Sequence, residues 1–166
     1  MQRLSRAGVT MTDLINTLLW LNREERTAPF EEDVRLDEEV EETVKSLRYL
    51  VDKKNIQLEC HTEFCKVHLA KVACQIVLNN LIRNAFQHCW SGRIRICQRA
   101  EKIEIRNRLH EDGAFDAEQG FGLGILLIEK LCRQFSWHYS SHAIDGEHVT
   151  VIEFKPSLNM STGESV

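Results

Sequence analysis

The sequence lacks an apolar run that could cross a membrane. No stretch of its 166 residues approaches the ~18 consecutive apolar residues of a transmembrane helix, and no signal peptide is visible. We therefore expect a soluble chain, long enough for one domain with a real core and a helical appendage. The chain opens within a helical pattern, which predicts that it is a fragment of a longer protein.

An excess of positive charge and paired cysteines are also missing. The net charge is −4, and no basic stripe with interleaved aromatic residues occurs, which argues against a nucleic-acid binder. None of the six cysteines belongs to a C-x-x-C pair. Cys60, His61, Cys65 and His68 come close together, but their spacing matches no common structural zinc site. We expect free thiols that behave as small apolar residues in a reducing compartment.

The sequence contains no G-x-x-x-x-G-K-[S/T] phosphate loop, but it has another glycine-rich run. Gly120, Gly122 and Gly124 alternate with apolar residues and lead directly into a predicted amphipathic helix over 123–135. A polar loop precedes them, whereas a Rossmann fingerprint needs a strand there. Glycine lets a backbone approach a phosphate closely, and a helix N-terminus offers free N–H groups and the positive end of its dipole. The run is therefore a candidate phosphate-binding element.

A second candidate element is a helix with amides on its inner side. Five apolar residues at helical spacing predict the buried face: Leu69, Val72, Ala73, Ile76 and Val77. A polar stripe continues this face: Asn80, Asn84, Gln87 and His88. Buried amides without partners are costly, so either the fold or a polar ligand and its metal must supply the partners. Two carboxamide oxygens one turn apart suit a hard cation such as Mg²⁺.

Together the two elements resemble a known family. The run Asn80-Leu81-Ile82-Arg83-Asn84-Ala85 resembles the N box of the Bergerat-type ATPases, and 120–124 resembles their second glycine box. Their order and spacing are similar to the catalytic domain of bacterial sensor histidine kinases over residues 30–156. The pattern of helices and strands predicts an α+β fold. The resemblance implies a two-layer sandwich whose mixed, mostly antiparallel sheet is covered by helices.

The N-terminal segment extends the resemblance. An a/d heptad typical of a coiled coil or helical bundle is formed by Leu4, Ala7, Met11, Leu14, Leu18 and Leu21. Residues 10–25 resemble the end of the second dimerisation helix of the kinases, the alternative being a helix docked on its own domain. In the family the phosphate-accepting histidine lies on the preceding helix, and the first histidine here is His61, so that residue is absent from this chain. We predict a dimerisation helix at 1–27, an ATP-binding domain at 28–156 and a disordered tail at 157–166.

Alternating patterns predict the strands. They are expected near Val34 and Leu36 and over 55–60, 93–97, 103–107, 137–141 and 148–154. A helical stripe runs from Val40 to Lys54, a short link at 98–102 predicts a hairpin, and Asp145-Gly146 predicts a second one.

The resemblance implies ATP and Mg²⁺ as ligands. It implies that Asn84 coordinates Mg²⁺, that Asn80 supports the phosphates and that Asn107 holds adenine. The residues implied to bind the nucleotide are Asn80, Asn84, Gln87, His88, Asn107, Gly120, Phe121, Gly122, Leu123 and Gly124. No residue is assigned as a catalytic acid or base, and His88 is expected to pack or to form hydrogen bonds.

The sequence departs from the family pattern at three positions. Asn107 replaces the adenine-binding aspartate, and the glycines after it are missing. Its oxygen can still accept the adenine amino group, but a carboxamide can flip and pair with guanine, which predicts weak and less selective binding. Gln87 replaces a lysine directed at the phosphates, for which Arg83, Arg106 or Arg108 could substitute. Asn80 stands where hydrolysing relatives have a glutamate base, which favours phosphoryl transfer to a protein side chain.

The expected function is therefore phosphoryl transfer from ATP to a histidine on a dimerisation helix absent from this chain, and then to a response regulator. The resemblance implies that the full-length protein is a homodimer and a cytoplasmic or inner-membrane sensor. This part of it is expected to lie in the cytoplasm and to contact neither nucleic acid nor membrane. One alternative is a degenerate module that regulates without phosphotransfer, which Asn107 and Gln87 favour. Another is an anti-sigma serine kinase of the same fold, which the heptads disfavour.

Overall fold

The structure is a computed structural model that describes residues 30–108 and 123–154, together with Ile15 and Leu19. Its elements are β1 (Glu32–Arg35), α1 (Leu36–Leu47), β2 (Asn55–His61), β3 (Lys66–Leu69), α2 (Lys71–His88), β4 (Ser91–Arg99), β5 (Lys102–Arg108), α3 (Leu123–Phe135), β6 (His138–Ile144) and β7 (Glu147–Glu153). A short 3₁₀ turn, Arg48–Leu50, follows α1. None of the described helices is long and apolar enough to span a membrane.

A five-stranded sheet in the order β2-β4-β5-β7-β6 forms one layer. The β2–β4 pair is parallel, and the other three pairs are antiparallel. β4 and β5 form the first predicted hairpin. β6 and β7 form the second, with positive φ angles at Asp145 (50°) and Gly146 (77°), as a two-residue type I′ turn requires. The mixed, mostly antiparallel sheet is therefore confirmed.

The helices α1, α2 and α3 form the second layer, on one face of this sheet. α2 packs between α1 and α3 and against β5, while α3 also packs against β6. Strand alternation directs one side of each strand into this layer. The fully buried isoleucines of the sheet are Ile94, Ile96, Ile103, Ile105 and Ile152. Four of the six cysteines, Cys65, Cys74, Cys89 and Cys132, are also buried. The core therefore lies between α2 and the centre of the sheet, which confirms the predicted two-layer sandwich.

Two residues predicted to lie on the buried apolar face of the helix that carries Asn80 and Asn84 do not lie there in the structure. Leu69 is buried, but it belongs to β3, which pairs antiparallel with β1 in a separate two-stranded sheet. β3 was missed because so short a run cannot be distinguished from a helical turn by periodicity. Val72 lies on α2 but is 57% exposed, because the buried arc of the helix runs along Ala73, Val77 and their i+4 successors.

Several predictions lie outside the described residues. They concern the heptad residues Leu4 to Leu21, the tail 157–166, and the polar loop predicted at 108–120, of which only Arg108, in β5, is described. Ile15 and Leu19 are helical and exposed.

A lysine from another part of the chain caps the C-terminus of α2. Lys54 Nζ lies 2.7 Å from the Phe86 carbonyl oxygen, 3.2 Å from that of Gln87 and 2.9 Å from that of Cys89. The last carbonyls of a helix have no partners within the helix, and a cation also complements the negative end of its dipole. The same ammonium lies 4.6 Å from the centre of the Trp90 ring, where a cation–π contact adds to its stability. Lys54 therefore fixes the end of the helix that carries the candidate site.

Replacing this lysine by methionine tests the cap. Lys54→Met keeps the apolar stem but leaves the carbonyls without their charged donor, so we expect the free energy of unfolding to fall by about 1.5–3 kcal/mol. Urea denaturation followed by circular dichroism measures it. Lys53→Met is the control, since Lys53 is exposed. Equal stability of the two variants would contradict the assignment.

Candidate functional site

The carboxamide of Asn80 lies where α2 meets the start of α3. Its amide group donates a hydrogen bond to the Ile76 carbonyl oxygen, one turn back along the same helix (2.8 Å). A Cβ atom added at Gly124 would lie 2.9 Å from Asn80 Oδ1, a distance that real Cβ contacts do not show. The absence of a side chain at Gly124 therefore allows the first turn of α3 to approach the amide of α2 closely. This contact joins the two elements that the sequence identified separately.

Asn84 lies one turn further along α2, at the border of the core. It is half-buried, and it is followed by Ala85 and Phe86, which are both buried. Within residues 30–108 and 123–154, no side chain or backbone group forms a hydrogen bond with its carboxamide. Asn80 thus has a partner in the fold, whereas Asn84 is available to a ligand.

Gln87 and His88 do not continue the half-buried stripe. Both are exposed in the last turn of α2, so the expectation that the stripe stays on the buried side as far as His88 is wrong. The helix ends at His88, where the chain turns to enter β4. The two residues remain close to the site in sequence, but they are not part of its buried portion.

Asn107 is buried near the end of β5. It is 5% exposed and lies on the helix-covered face, two residues after Ile105 on the same side of the strand. Its cross-strand neighbours are Ile94 on β4 and His148 on β7. A carboxamide in such surroundings needs a polar partner, so the position fits a residue that binds a polar ring.

The pairing of β5, β7 and β6 brings polar side chains beside Asn107 that the sequence analysis did not identify. His148 and Thr150 on β7 and Ser141 on β6 lie on the same face of the sheet as Asn107. The Ser141 hydroxyl oxygen lies 2.7 Å from His148 Nε2. The missing signal was the strand register, which the predicted Asp145-Gly146 turn could have supplied.

Burial lowers the pKa of His148, and the charges of His142 and His88 lower it further. Because His88 ends α2, this coupling shows that the C-terminus of the helix lies near the first residues of β7. His88, Asn107 and His148 therefore lie in one region, where the end of α2 meets the covered face of the sheet.

The glycine-rich run is described only at its end. Gly120, Phe121 and Gly122 lie outside the described residues, whereas Leu123 and Gly124 form the half-buried first turn of α3. The first backbone N–H groups of a helix have no partners within it, and the dipole makes this end positive. A phosphate beside this end of α3 would therefore meet backbone donors.

The geometry excludes Arg106 as a substitute for the lysine that relatives direct at the phosphates. Arg106 lies on the uncovered face of β5, where its guanidinium is 2.6 Å from Glu104 Oε1 and 3.7 Å from Glu147 Oε2. Asn107 is on the opposite face. Arg83 is half-buried on α2 itself, the helix that also carries Asn80 and Asn84.

Comparisons of sequence and of structure give different results. No family model and no curated protein matches the sequence. The structure matches solved histidine kinases, among them AdeS of Acinetobacter baumannii, with a TM-score of 0.70 at 16% identity over 92% of this chain and 79% of that one. The catalytic domain of ThkA matches with a TM-score of 0.63 at 19% identity, over 75% of this chain and 94% of that domain.

Full-length ShkA, solved in complex with AMPPNP, matches with a TM-score of 0.71 at 14% identity over 92% of this chain and 37% of that one. At sequence identities this low, the matches show a shared fold. This chain has the fold of the histidine kinase catalytic domains.

Proposed function

We propose that this domain binds ATP with Mg²⁺ between the C-terminal half of α2 and the start of α3, and acts as the catalytic domain of a two-component histidine kinase. The observation that carries the proposal is the close approach of Asn80 Oδ1 to Gly124. It brings the segment that resembles an N box against Gly124, the last residue of the run that resembles a glycine box, as a shared nucleotide site requires.

The described side chains fit a nucleotide and its metal. Asn84 offers a carboxamide oxygen that no described residue engages, which suits a hard cation that keeps most of its waters and binds mainly to phosphates. The start of α3 offers backbone donors to the phosphates, and Asn80 supports them with the amide hydrogen that Ile76 does not accept. Asn107 offers a buried oxygen to the base. Gly120, Phe121, Gly122 and Leu123 complete the phosphate contacts. Gln87 and His88 contact the nucleotide from the exposed end of α2.

The chemistry assigned to the chain is positioning and charge neutralisation. When bound, Mg²⁺ neutralises charge on the phosphates. Asn80 cannot take a proton from water, so the site lacks the base that hydrolysis needs at that position. We assign the acceptor to a histidine on a dimerisation helix outside this chain, from which the phosphoryl group passes to a response regulator. The work of this domain is to hold the γ-phosphate in line with that acceptor.

The same proposal assigns partners and location. Residues 1–27 would form part of a helical bundle with a second copy of the protein, and the apolar side chains of Ile15 and Leu19, exposed one turn apart, support such a contact. The domain, residues 28–156, would work in the cytoplasm. The structural match to the cytoplasmic segment of histidine kinase QseC, with a TM-score of 0.70 at 9% identity, supports this location.

Asn84→Ala tests the metal and nucleotide site. Isothermal titration of ATP with Mg²⁺ into the wild-type chain should give micromolar to sub-millimolar affinity. The variant should bind at least about tenfold more weakly, since a metal contact is lost. Asn79→Ala is the matched control, because it removes the same group from α2 at the position before Asn80, outside the proposed stripe, and it should bind like the wild type.

The outcomes separate the candidate functions. Loss of binding in Asn84→Ala alone supports the proposal, whereas an equal loss in both variants would place the metal contact elsewhere. If the wild-type chain binds no ATP at millimolar concentration, the proposal fails, and the domain is a regulatory module without phosphotransfer.

Gly124→Ala tests the contact between the two helices. Alanine favours helix formation by up to about 1 kcal/mol over glycine, so we expect little change in unfolding free energy. The added methyl group must displace the Asn80 carboxamide, and the affinity for ATP with Mg²⁺ should therefore fall about tenfold. In an Asn80→Ala background the same substitution should have almost no further effect on affinity. Additive losses would show that the contact does not matter to the site.

A further inference from the structure

One edge of the five-stranded sheet is a strand without acidic or basic side chains other than histidine. β6 ends the sheet beside β7, and its seven residues, His138–Ile144, include no aspartate, glutamate, lysine, arginine, glycine or proline. Its pairing with β7 runs from end to end without a bulge. Natural proteins usually protect an edge strand with charges, proline or a bulge, because its unpaired N–H and C=O groups can pair with another chain. The sequence of β6 supplies none of these protections.

The opposite edge strand, β2, differs in this respect. Glu59 lies in the second half of β2 and is held by Arg93 and Arg95 of β4, with N–O distances of 3.4 Å and 3.1 Å. A strand added beside β2 would therefore meet a cluster of charged side chains, whereas a strand added beside β6 would meet exposed but uncharged ones.

The turn between β6 and β7 determines which backbone groups of β6 face outward. In a hairpin with a two-residue type I′ turn, the residues that flank the turn form a hydrogen-bonded pair, and such pairs alternate along the ladder. Ile144 and Glu147 flank the turn, so every second residue back from Ile144 bonds to β7. The N–H and C=O groups of Tyr139, Ser141 and Ala143 point away from the sheet. Among the described residues, these groups form no backbone hydrogen bond outside the strand ladders.

The outward-facing groups of β6 are complementary to those of a second β6. Hydrogen-bonded residues lie directly opposite each other in an antiparallel pair. About a two-fold axis at Ser141, this residue lies opposite its own copy, and Tyr139 lies opposite Ala143, a ring beside a small side chain. In the same register Ser140 lies opposite His142, with which it can form a hydrogen bond. No pair sets like charges opposite each other while the histidines are neutral.

We infer that β6 pairs with β6 of a second copy of this chain, antiparallel and about Ser141, so that the two sheets join into one. This contact is separate from the one proposed for residues 1–27, and it does not depend on nucleotide binding. Each copy contributes the same strand, so the interface is isologous and closes as a dimer. A single strand pair buries little surface, so the contact is weak and forms at high protein concentration.

Hydrogen exchange of individual amides is the first test, made by NMR on the full chain. Between about 50 µM and about 1 mM protein, exchange of the Tyr139, Ser141 and Ala143 amides should slow by at least about twofold. The amides of Ser140 and His142, which bond to β7, should be protected at both concentrations. Outward amides that exchange freely even at about 1 mM would overturn the inference. Equal protection at both concentrations would also overturn it, because another segment of the same chain would then cover the edge.

Opposite charges at residue 141 test the position of the axis. Ser141→Lys and Ser141→Glu each set like charges opposite each other, so either variant alone should lose the concentration-dependent protection of Tyr139 and Ala143. An equal mixture of the two should regain it, because a residue on the axis faces its own copy. Neither variant keeps the hydrogen bond to His148, so the loss of that bond cannot explain a recovery in the mixture.

Gln57→Lys and Gln57→Glu are the matched controls. Gln57 is an exposed residue of the other edge strand, so these variants add the same charges to the chain and should behave like the wild type. If Ser141→Lys keeps the protection, or if the mixture of the two Ser141 variants does not regain it, pairing about Ser141 is refuted. If the Ser141 variants do not fold, the exchange measurement on the wild-type chain still decides the inference.

Discussion

The close contact between Asn80 and Gly124 is the constraint on which the site depends. One side of the Asn80 carboxamide is held by the Ile76 carbonyl, and the other lies against the backbone of α3 where any side chain would intrude. The contact fixes the distance between the helix that carries Asn84 and the helix whose N-terminus we propose as the phosphate-binding element. Rigid placement of this kind is what a phosphoryl-transfer site requires, since most of its catalytic effect comes from position and charge.

The two faces of the sheet divide the polar groups of the chain by role. The uncovered face carries ion pairs such as Arg95–Glu59 and Arg106–Glu104, which satisfy one another and are in contact with water. The covered face carries few polar groups, and those near the end of α2 are Asn107, His148 and Thr150. Polar groups are costly in an apolar layer unless they have partners, and this cluster supports the proposal of a ligand site there.

The sequence predicted the larger part of the fold because its periodicity is regular. The helix over 123–135, both hairpins and the sheet of mixed direction agree with the structure. Short or mixed signals account for the failures: β3 is only four residues long, and Leu69 appeared to extend a helical face that in fact starts later. The positions of Lys54 at the end of α2 and of His148 beside Asn107 could not be predicted, because the groups next to them in the fold are more than thirty residues away in sequence. For the site, the sequence supplied the amides and the glycines, whereas their close approach required the structure.

The most direct test of the account is an NMR titration of isotope-labelled protein with the ATP analogue AMPPNP and Mg²⁺. The side-chain amide signals of Asn84 and Asn107 report on the two ends of the proposed nucleotide, and that of Asn80 reports on the contact between α2 and α3. A nucleotide bound between α2 and α3 should move all three signals with one saturation curve, while signals from the uncovered face of β4 stay in place. Saturable changes confined to the uncovered face, or none near Asn84 and Asn107, would contradict it.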